Sequence, residues 1–292
     1  MPELPEVETT VRDLKKRVLG RTLIDVWTDS RKLIKKPNNF QDFEEGIRGS
    51  KIEDIRRRGK NILIDLSGGK TLLIHQKLTG HLLLGKWKLE KGEWKAQISG
   101  PLAEDPMNRF LHLIFQLDNG QMLALSDLRK FAKAELWDSE ELKRSGEVRR
   151  LGPEPLGKNF TFKEFKNCLE NKKGKIKQVL MDQTVLAGIG NIYSDEILWE
   201  ARVHPLKEIP ELSEEEFKRI YQAMQQILKK AIEAKGESIS DFRRISGEKG
   251  GFDPLRKVYR KEGEKCDRCG TIIKKLKLAG RSAHFCPKCQ KL

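Results

Sequence analysis

Four of the five cysteines in this 292-residue chain fall near its end, as Cys266-x2-Cys269 and Cys286-x2-Cys289, with 16 residues between the pairs. Two such knuckles supply four thiolates to one tetrahedral ion, the pattern of a structural zinc site. A closed four-sulfur shell leaves no open position, so its one Zn2+ per chain organises the fold and takes no part in chemistry. Disulfides are the competing reading, and they conflict with a start that lacks the apolar core of a secretion signal. His284 lies close enough to be considered as a ligand, but four cysteines already fill the shell. Between the knuckles, Thr271–Leu278 and Ser282–Phe285 can pair as a hairpin with Ala279-Gly280-Arg281 at its tip. An arginine there is placed to enter a nucleic-acid groove; equally, it is one more solvated charge. Cys168, beside Phe165 and Leu169 in a helical stretch, is expected to be a small core residue.

Hydrophobic period divides the rest of the chain. Val7, Val11, Leu14 and Val18 draw one helical stripe, with Pro5 at the first helical position and Gly20 as the stop. Short alternating segments then run to about Trp137, among them Ile62, Ile64 and Leu66, and Leu111, Leu113, Phe115 and Leu117. Ser67-Gly68-Gly69 and Asp118-Asn119-Gly120 read as hairpin turns, so a β-sandwich or barrel is expected. The polar stretch Lys86–Arg109 reads as a long loop, and residues 151–157, rich in Gly and Pro, as a linker. Helical spacing holds from Phe162 to about Lys235. The glycine- and charge-rich segment 236–254 is expected to be mobile.

Two further features carry chemistry. The chain opens Met1-Pro2-Glu3-Leu4-Pro5-Glu6, and clipping of Met1 leaves Pro2 as a secondary amine flanked by two carboxylates. An α-amine has a pKa of about 7.7–8.0 against about 10.4 for lysine, so far more of it is free base at neutral pH. Such an amine beside a carboxyl suits covalent catalysis; the bland alternative is a frayed, solvated start. Gly188-Ile189-Gly190-Asn191 reads as a tight turn with Asn191 capping the next helix, where exposed amides would bind phosphate. An ordinary interhelical turn would look the same. Lys+Arg 58 against Asp+Glu 43 gives a formal charge of +15, which suits a polyanion such as nucleic acid. No apolar run approaches a membrane span.

Taken together, these residues resemble the bacterial formamidopyrimidine-DNA glycosylase family over nearly the whole chain. The resemblance rests on the opening Pro-Glu-Leu-Pro-Glu-Val-Glu, the Gly-Ile-Gly-Asn turn and the four-cysteine finger. It implies an α+β, bilobal protein: an N-terminal β-sandwich with an amino-terminal helix, a helix–two-turns–helix domain, and a zinc-finger hairpin. The implied bounds are 1–140 for the catalytic domain, 141–160 for a linker, 161–262 for the helical domain with a lesion-capping loop at 236–254, and 263–292 for the finger. It implies a monomeric bacterial cytoplasmic enzyme that acts on double-stranded DNA. Oxidised purines, 8-oxoguanine and formamidopyrimidines, would be excised through a Schiff base, and the strand cut by β,δ-elimination. Pro2 would be the nucleophile and Glu3 the general acid/base. Lys60 and Arg281 would complete the catalytic set by gripping phosphate, and Glu6 would support the site. Asn191, His75 and Lys177 would contact DNA, while Arg129, Phe131 and Leu78 would fill the gap left by the everted base. Leu78 stands where the family usually has methionine, and Lys77 where glycine is frequent. Two rivals remain open: an endonuclease VIII type of enzyme that prefers oxidised pyrimidines, and a non-catalytic binder that uses the finger and turn alone.

Overall fold

The computed structural model describes residues 1–238 and 242–292. These divide into two compact units, Met1–Arg149 with Ala234–Gly251, and Arg150–Glu233 with Phe252–Leu292. The fold is α+β, with a sandwich, a helical domain and a cysteine finger, as the sequence implies.

The first unit opens with α1 (Leu4–Val18), whose expected stripe is buried: Val7, Leu14 and Val18 are fully enclosed and Val11 nearly so. Leu4, not Pro5, takes the first helical position; Pro5 follows it. The strands are β1 (Leu23–Thr28), β2 (Ile34–Lys36), β3 (Ile52–Arg58), β4 (Asn61–Leu66), β5 (Lys70–His75), β6 (His81–Gly85), β7 (Trp87–Glu90), β8 (Glu93–Ala96), β9 (Leu111–Leu117), β10 (Met122–Ser126) and β11 (Lys133–Asp138). Helices α2 (Phe40–Ile47), α3 (Ser139–Arg144) and α4 (Gly146–Arg149) complete the unit. One sheet has the order β1-β9-β10-β6, the other β2-β11-β5-β4-β3. A shared core takes Leu82, Leu113, Phe115 and Leu125 from the first, Ile55, Ile62, Ile64, Leu72 and Ile74 from the second, and the stripe of α1. Both expected hairpin turns are present, joining β4 to β5 and β9 to β10.

The stretch Lys86–Arg109 departs from the sequence reading. It contains the hairpin β7–β8 and a short 3-10 turn at Pro106–Phe110. The reason is that β9 buries both faces: Leu113 and Phe115 face the main core, while Leu111 and Ile114 face outward with Leu83 and Ala124. Trp87, Leu102 and the half-buried Trp94 cover that outer face. Charged residues on the solvent side of the hairpin hide the pattern. The expected linker differs too, since α3 and α4 pack with the first unit and Leu142 is buried against Leu63 and Leu73.

The segment 234–251 also belongs to this first compact unit. Glu237 N–H donates to Glu6 Oε1 at 2.8 Å, Arg244 clasps Asp13 through Nε (3.0 Å) and Nη2 (3.2 Å), and Leu84 N–H donates to Ile245 C=O at 2.8 Å. Residues 239–241 of the expected capping loop lie outside the described residues.

In the second unit, α5 (Phe162–Leu169), α6 (Ile176–Met181), α7 (Asn191–Ala201) and α8 (Glu214–Glu233) precede β12 (Lys274–Leu278) and β13 (Arg281–Phe285). Nearly all of α7 is buried, and α8 lays an apolar stripe from Phe217 to Ile232 inward. Cys168 is half-buried rather than in the core, which Phe165 and Leu169 occupy. Among the described residues no helix is long and apolar enough to cross a membrane.

The Asp13–Arg244 clasp generates a prediction. Asp13→Asn should cost about 1–3 kcal/mol of stability, the range for a hydrogen bond to a charged group. Urea unfolding of the zinc-loaded protein measures it, and amide exchange at Glu237 and Leu84 should accelerate. Unchanged stability and exchange would show that the Glu6–Glu237 and Leu84–Ile245 hydrogen bonds hold the segment without the clasp.

Candidate active site and nucleic-acid interface

The amino terminus is held, not frayed. Pro2 is buried, and Glu3 and Glu6 are 2% and 1% exposed. Glu3 occupies the N-cap of α1, and its backbone N–H donates to Glu6 Oε2 at 2.8 Å. Glu6 thereby spends one oxygen on the terminus and the other on the amide of Glu237. Gly236, at φ +81°, lies so close that a Cβ there would stand 2.9 Å from Glu6 Oε1. Glu6 is thus a structural clamp between the start of α1 and the segment after Ala234.

Lys60 lies in the two-residue turn Gly59-Lys60 that joins β3 to β4, and is 7% exposed. His75 pairs across the strands with Asn61 on one side and Lys133 on the other. Burial first, and then the positive charges of Lys77, Lys60 and Lys133, pull His75 down to a pKa of about 3. Its Nδ1 accepts the Lys77 N–H at 2.9 Å. The neutral ring must therefore carry its proton on Nε2, a donor in a lysine-rich field suited to phosphate.

Leu78, Arg129 and Phe131 come together on neighbouring loops. Because β5 pairs with β11 and β6 pairs with β10, the crossover 76–80 and the crossover 127–132 run side by side between the two sheets. Phe131 is 50% exposed and Leu78 38%, and the Arg129 guanidinium lies 4.6 Å from the Phe131 ring centroid. Leu128, 48% exposed, adds a third large apolar side chain that the sequence reading left out. Large apolar side chains clustered in the open beside a cation are the kind of surface that binding sites use.

In the second unit the glycine turn lies between α6 and α7. Gly190 is the N-cap and Asn191 the first helical residue, so the cap falls one place earlier than expected. Gly188 adopts φ +96°, which a side chain would resist. The side chain of Gln183 braces the turn, accepting from Gly188 N–H and donating to Ile189 C=O, both at 2.8 Å. The Oδ1 of Asn191 is buried without a hydrogen bond among the described residues. Lys177 corrects the sequence reading: it is 1% exposed, and its ammonium contacts Asp195 at 2.5 Å and Ser282 C=O at 2.7 Å. It is an interior strut that joins α6, α7 and β13. Asp195 also accepts from His284, through its N–H at 3.0 Å and the ring Nδ1 at 2.9 Å. The adjacent Glu196 accepts the N–H groups of Lys257, Val258 and Tyr259 at 2.8–3.0 Å. Burial raises the pKa of that carboxyl, and the three amides oppose the shift.

The four cysteine sulfurs lie within 4.8 Å of one another. A zinc tetrahedron with Zn–S bonds of about 2.3 Å needs sulfurs about 3.8 Å apart, so the set fits one ion. Cys269 and Cys286 sulfurs, 3.4 Å apart, are too distant for a disulfide. His284 is committed to Asp195, outside the shell. Trp199 Nε1 donates to Cys266 Sγ at 3.4 Å, and Trp199, Val258 and Ile273 pack around the site. The hairpin tip is Ala279-Gly280, both at positive φ, and Arg281 is the first residue of β13, paired with Leu278. Arg281 is exposed there.

A buried amino-terminal carboxyl pair, an exposed apolar cluster beside a cation and a four-cysteine finger thus occur in one chain, and comparison with known proteins shows which class of protein combines them. Three family models match in order: the formamidopyrimidine-DNA glycosylase N-terminal domain at 1–134, its H2TH domain at 151–243, and the zinc finger found in FPG and IleRS at 263–292. A formamidopyrimidine-DNA glycosylase of Heliobacterium modesticaldum is 40% identical over 292 residues and is covered in full. A mutant Lactococcus lactis FPG bound to Fapy-dG-containing DNA superposes with a TM-score of 0.87 at 34% identity, each chain fully covered. The Lactococcus lactis enzyme bound to abasic-site DNA gives 0.86 at 34% identity, covering 99% of this chain and 100% of that one. The chain belongs to the formamidopyrimidine-DNA glycosylase family.

Removal of zinc tests the finger. Cys269→Ser should lower bound zinc from one per chain to near zero by metal analysis, and strand signals from the first unit should persist. One retained zinc would mean that the remaining three sulfurs suffice. A second prediction follows from His75. Its folded pKa lies below the ordinary value of about 6.5, so the unfolded chain takes up a proton that the folded one refuses. The stability it contributes is present above about pH 6.5 and is lost as pH falls toward 3. NMR should show a neutral ring with Nε2–H across pH 5–8, and a midpoint inside that window would refute the assignment.

Proposed function

We propose that the chain is a bifunctional DNA glycosylase and AP lyase that excises 8-oxoguanine and formamidopyrimidines from duplex DNA. The observation that supports this most directly is the immobilised amino terminus, where Pro2 and Glu3 are both buried at the start of a helix anchored in the core. Once Met1 is removed, the Pro2 nitrogen attacks C1′ of the damaged nucleotide. The bond from C1′ to the base breaks, and the base leaves with its electron pair. The nitrogen loses its proton, Glu3 protonates the ring oxygen, and the sugar opens to an iminium. Loss of a C2′ proton expels the 3′ phosphate, and a second elimination expels the 5′ phosphate.

The other site residues serve this chemistry by holding DNA. Lys60 and the Nε2–H of His75 grip phosphate beside the lesion, and Asn191 and Arg281 do so from the glycine turn and the finger. A base must leave the stack before it can be attacked, and something must occupy its place. Leu78 and Phe131 fill that space, and Arg129 reads the orphaned partner. A guanidinium bonds best to acceptors, so cytosine, with O2 and N3, is preferred to adenine. Lys177 takes no phosphate in this reading; it sets the finger hairpin against α6 and α7.

Borohydride reduction tests the nucleophile. A duplex carrying 8-oxoguanine should yield a stable protein–DNA adduct that maps to Pro2, and Glu3→Gln should still bind the duplex while losing most base excision. An adduct on Lys60, or near-normal excision by Glu3→Gln, would sink the assignment.

A further inference from the structure

Asp127 is a buried carboxylate that the proposed chemistry does not use, and its side chain is fully enclosed. Its Oδ2 accepts the N–H groups of Phe131 and Ala132, both at 2.7 Å, and its Oδ1 accepts the N–H of Arg129 at 3.2 Å. The hydroxyl of Thr79, from the other crossover, donates to the same Oδ1. That hydroxyl also accepts the Arg129 N–H at 3.2 Å. Below this knot Gly80 abuts Ala132, where a Cβ on Gly80 would stand 3.1 Å from the Ala132 Cβ.

Hydrogen bonds to an ionised acceptor are short, strong and directional. Four of them on one enclosed carboxylate fix the backbone of residues 129–132 and tie the Thr79 side chain of the other crossover to it. From this geometry we infer that Asp127 and Thr79 are positioning residues that fuse the Leu78 and Arg129–Phe131 loops into one rigid wedge. The wedge then enters the stack as a single body, and the guanidinium of Arg129 meets the orphaned base in a register fixed by Thr79. Separate loops would each lose backbone freedom on insertion, whereas the fused pair has lost it on folding. This inference rests on the wedge reading given above.

The test uses Thr79→Val, which keeps the shape and deletes the hydroxyl, with Thr79→Ser as the restoring variant and Asp127→Asn as a second perturbation. Single-turnover excision is measured on 8-oxoguanine opposite cytosine and opposite adenine, together with cleavage of a pre-formed abasic site and 2-aminopurine fluorescence beside the lesion. Thr79→Val should slow excision opposite cytosine about tenfold, lower the fluorescence step that reports unstacking, and narrow the cytosine-to-adenine ratio. Abasic-site cleavage should stay within about twofold, since eversion of an intact base is no longer required. Thr79→Ser should restore rate and ratio, and Asp127→Asn should repeat the Thr79→Val pattern. Equal loss on all substrates would mark a merely structural role and overturn the inference. So would normal rate and ratio in Thr79→Val while Leu78→Ala and Phe131→Ala are slow. If Leu78→Ala and Phe131→Ala are also normal, the wedge reading itself falls and takes the inference with it.

Discussion

The burial of one face of α1 is the constraint on which the first unit depends. A chain terminus ordinarily frays, because few contacts offset the entropy of fixing it. Here Val7, Val11, Leu14 and Val18 lock the helix into the sandwich core, and the terminus inherits that rigidity. The same helix carries Glu6 and Asp13 two turns apart, about 10.5 Å along the axis. Those two carboxylates hold Glu237 and Arg244, so the helix that orders Pro2 also sets the span between two points of the segment 234–251. One element thereby positions both the amino terminus and the segment 234–251.

Much of this was legible in the sequence, for physical reasons that differ from place to place. The α1 stripe, the alternation in β4 and β9, and their glycine turns are local patterns that tertiary packing reinforces. The cysteine pairs declare themselves because metal geometry admits few spacings. The hairpin β7–β8 was hidden because its inward residues, the buried Trp87 and half-buried Trp94, are diluted by lysines and glutamates on the exposed side. Asp195 and Glu196 were invisible for the opposite reason. Consecutive acids in a helix read as a solvated face, yet both are fully buried and each is satisfied by distant chain: Lys177 and His284 for one, 257–259 for the other. Lys177 is the counterpart: the resemblance implies a DNA contact, whereas its ammonium lies buried against Asp195.

Those two acids also explain how a small finger with few apolar residues of its own is held. Its core is completed by Trp199 and Val258. Its hairpin is tied through His284 and Ser282 to Asp195 and Lys177, and the segment 257–259 that leads into it hangs on Glu196. Buried charge of this kind costs desolvation and contributes little net stability, but it tolerates only one arrangement of partners. Placement, more than stability, is what α7 supplies to the exposed Arg281.

The crossover carrying Leu78 has its backbone held from Thr79 and Gly80, not from the leucine. Shape and chemistry at that tip are therefore separable traits. The side chain at position 78 can change by drift, from methionine to leucine or another flexible apolar group, without altering the path of the loop beneath it. A substitution at position 78 would alter the apolar tip while leaving in place the hydrogen bonds of Thr79 and Gly80 that hold the loop.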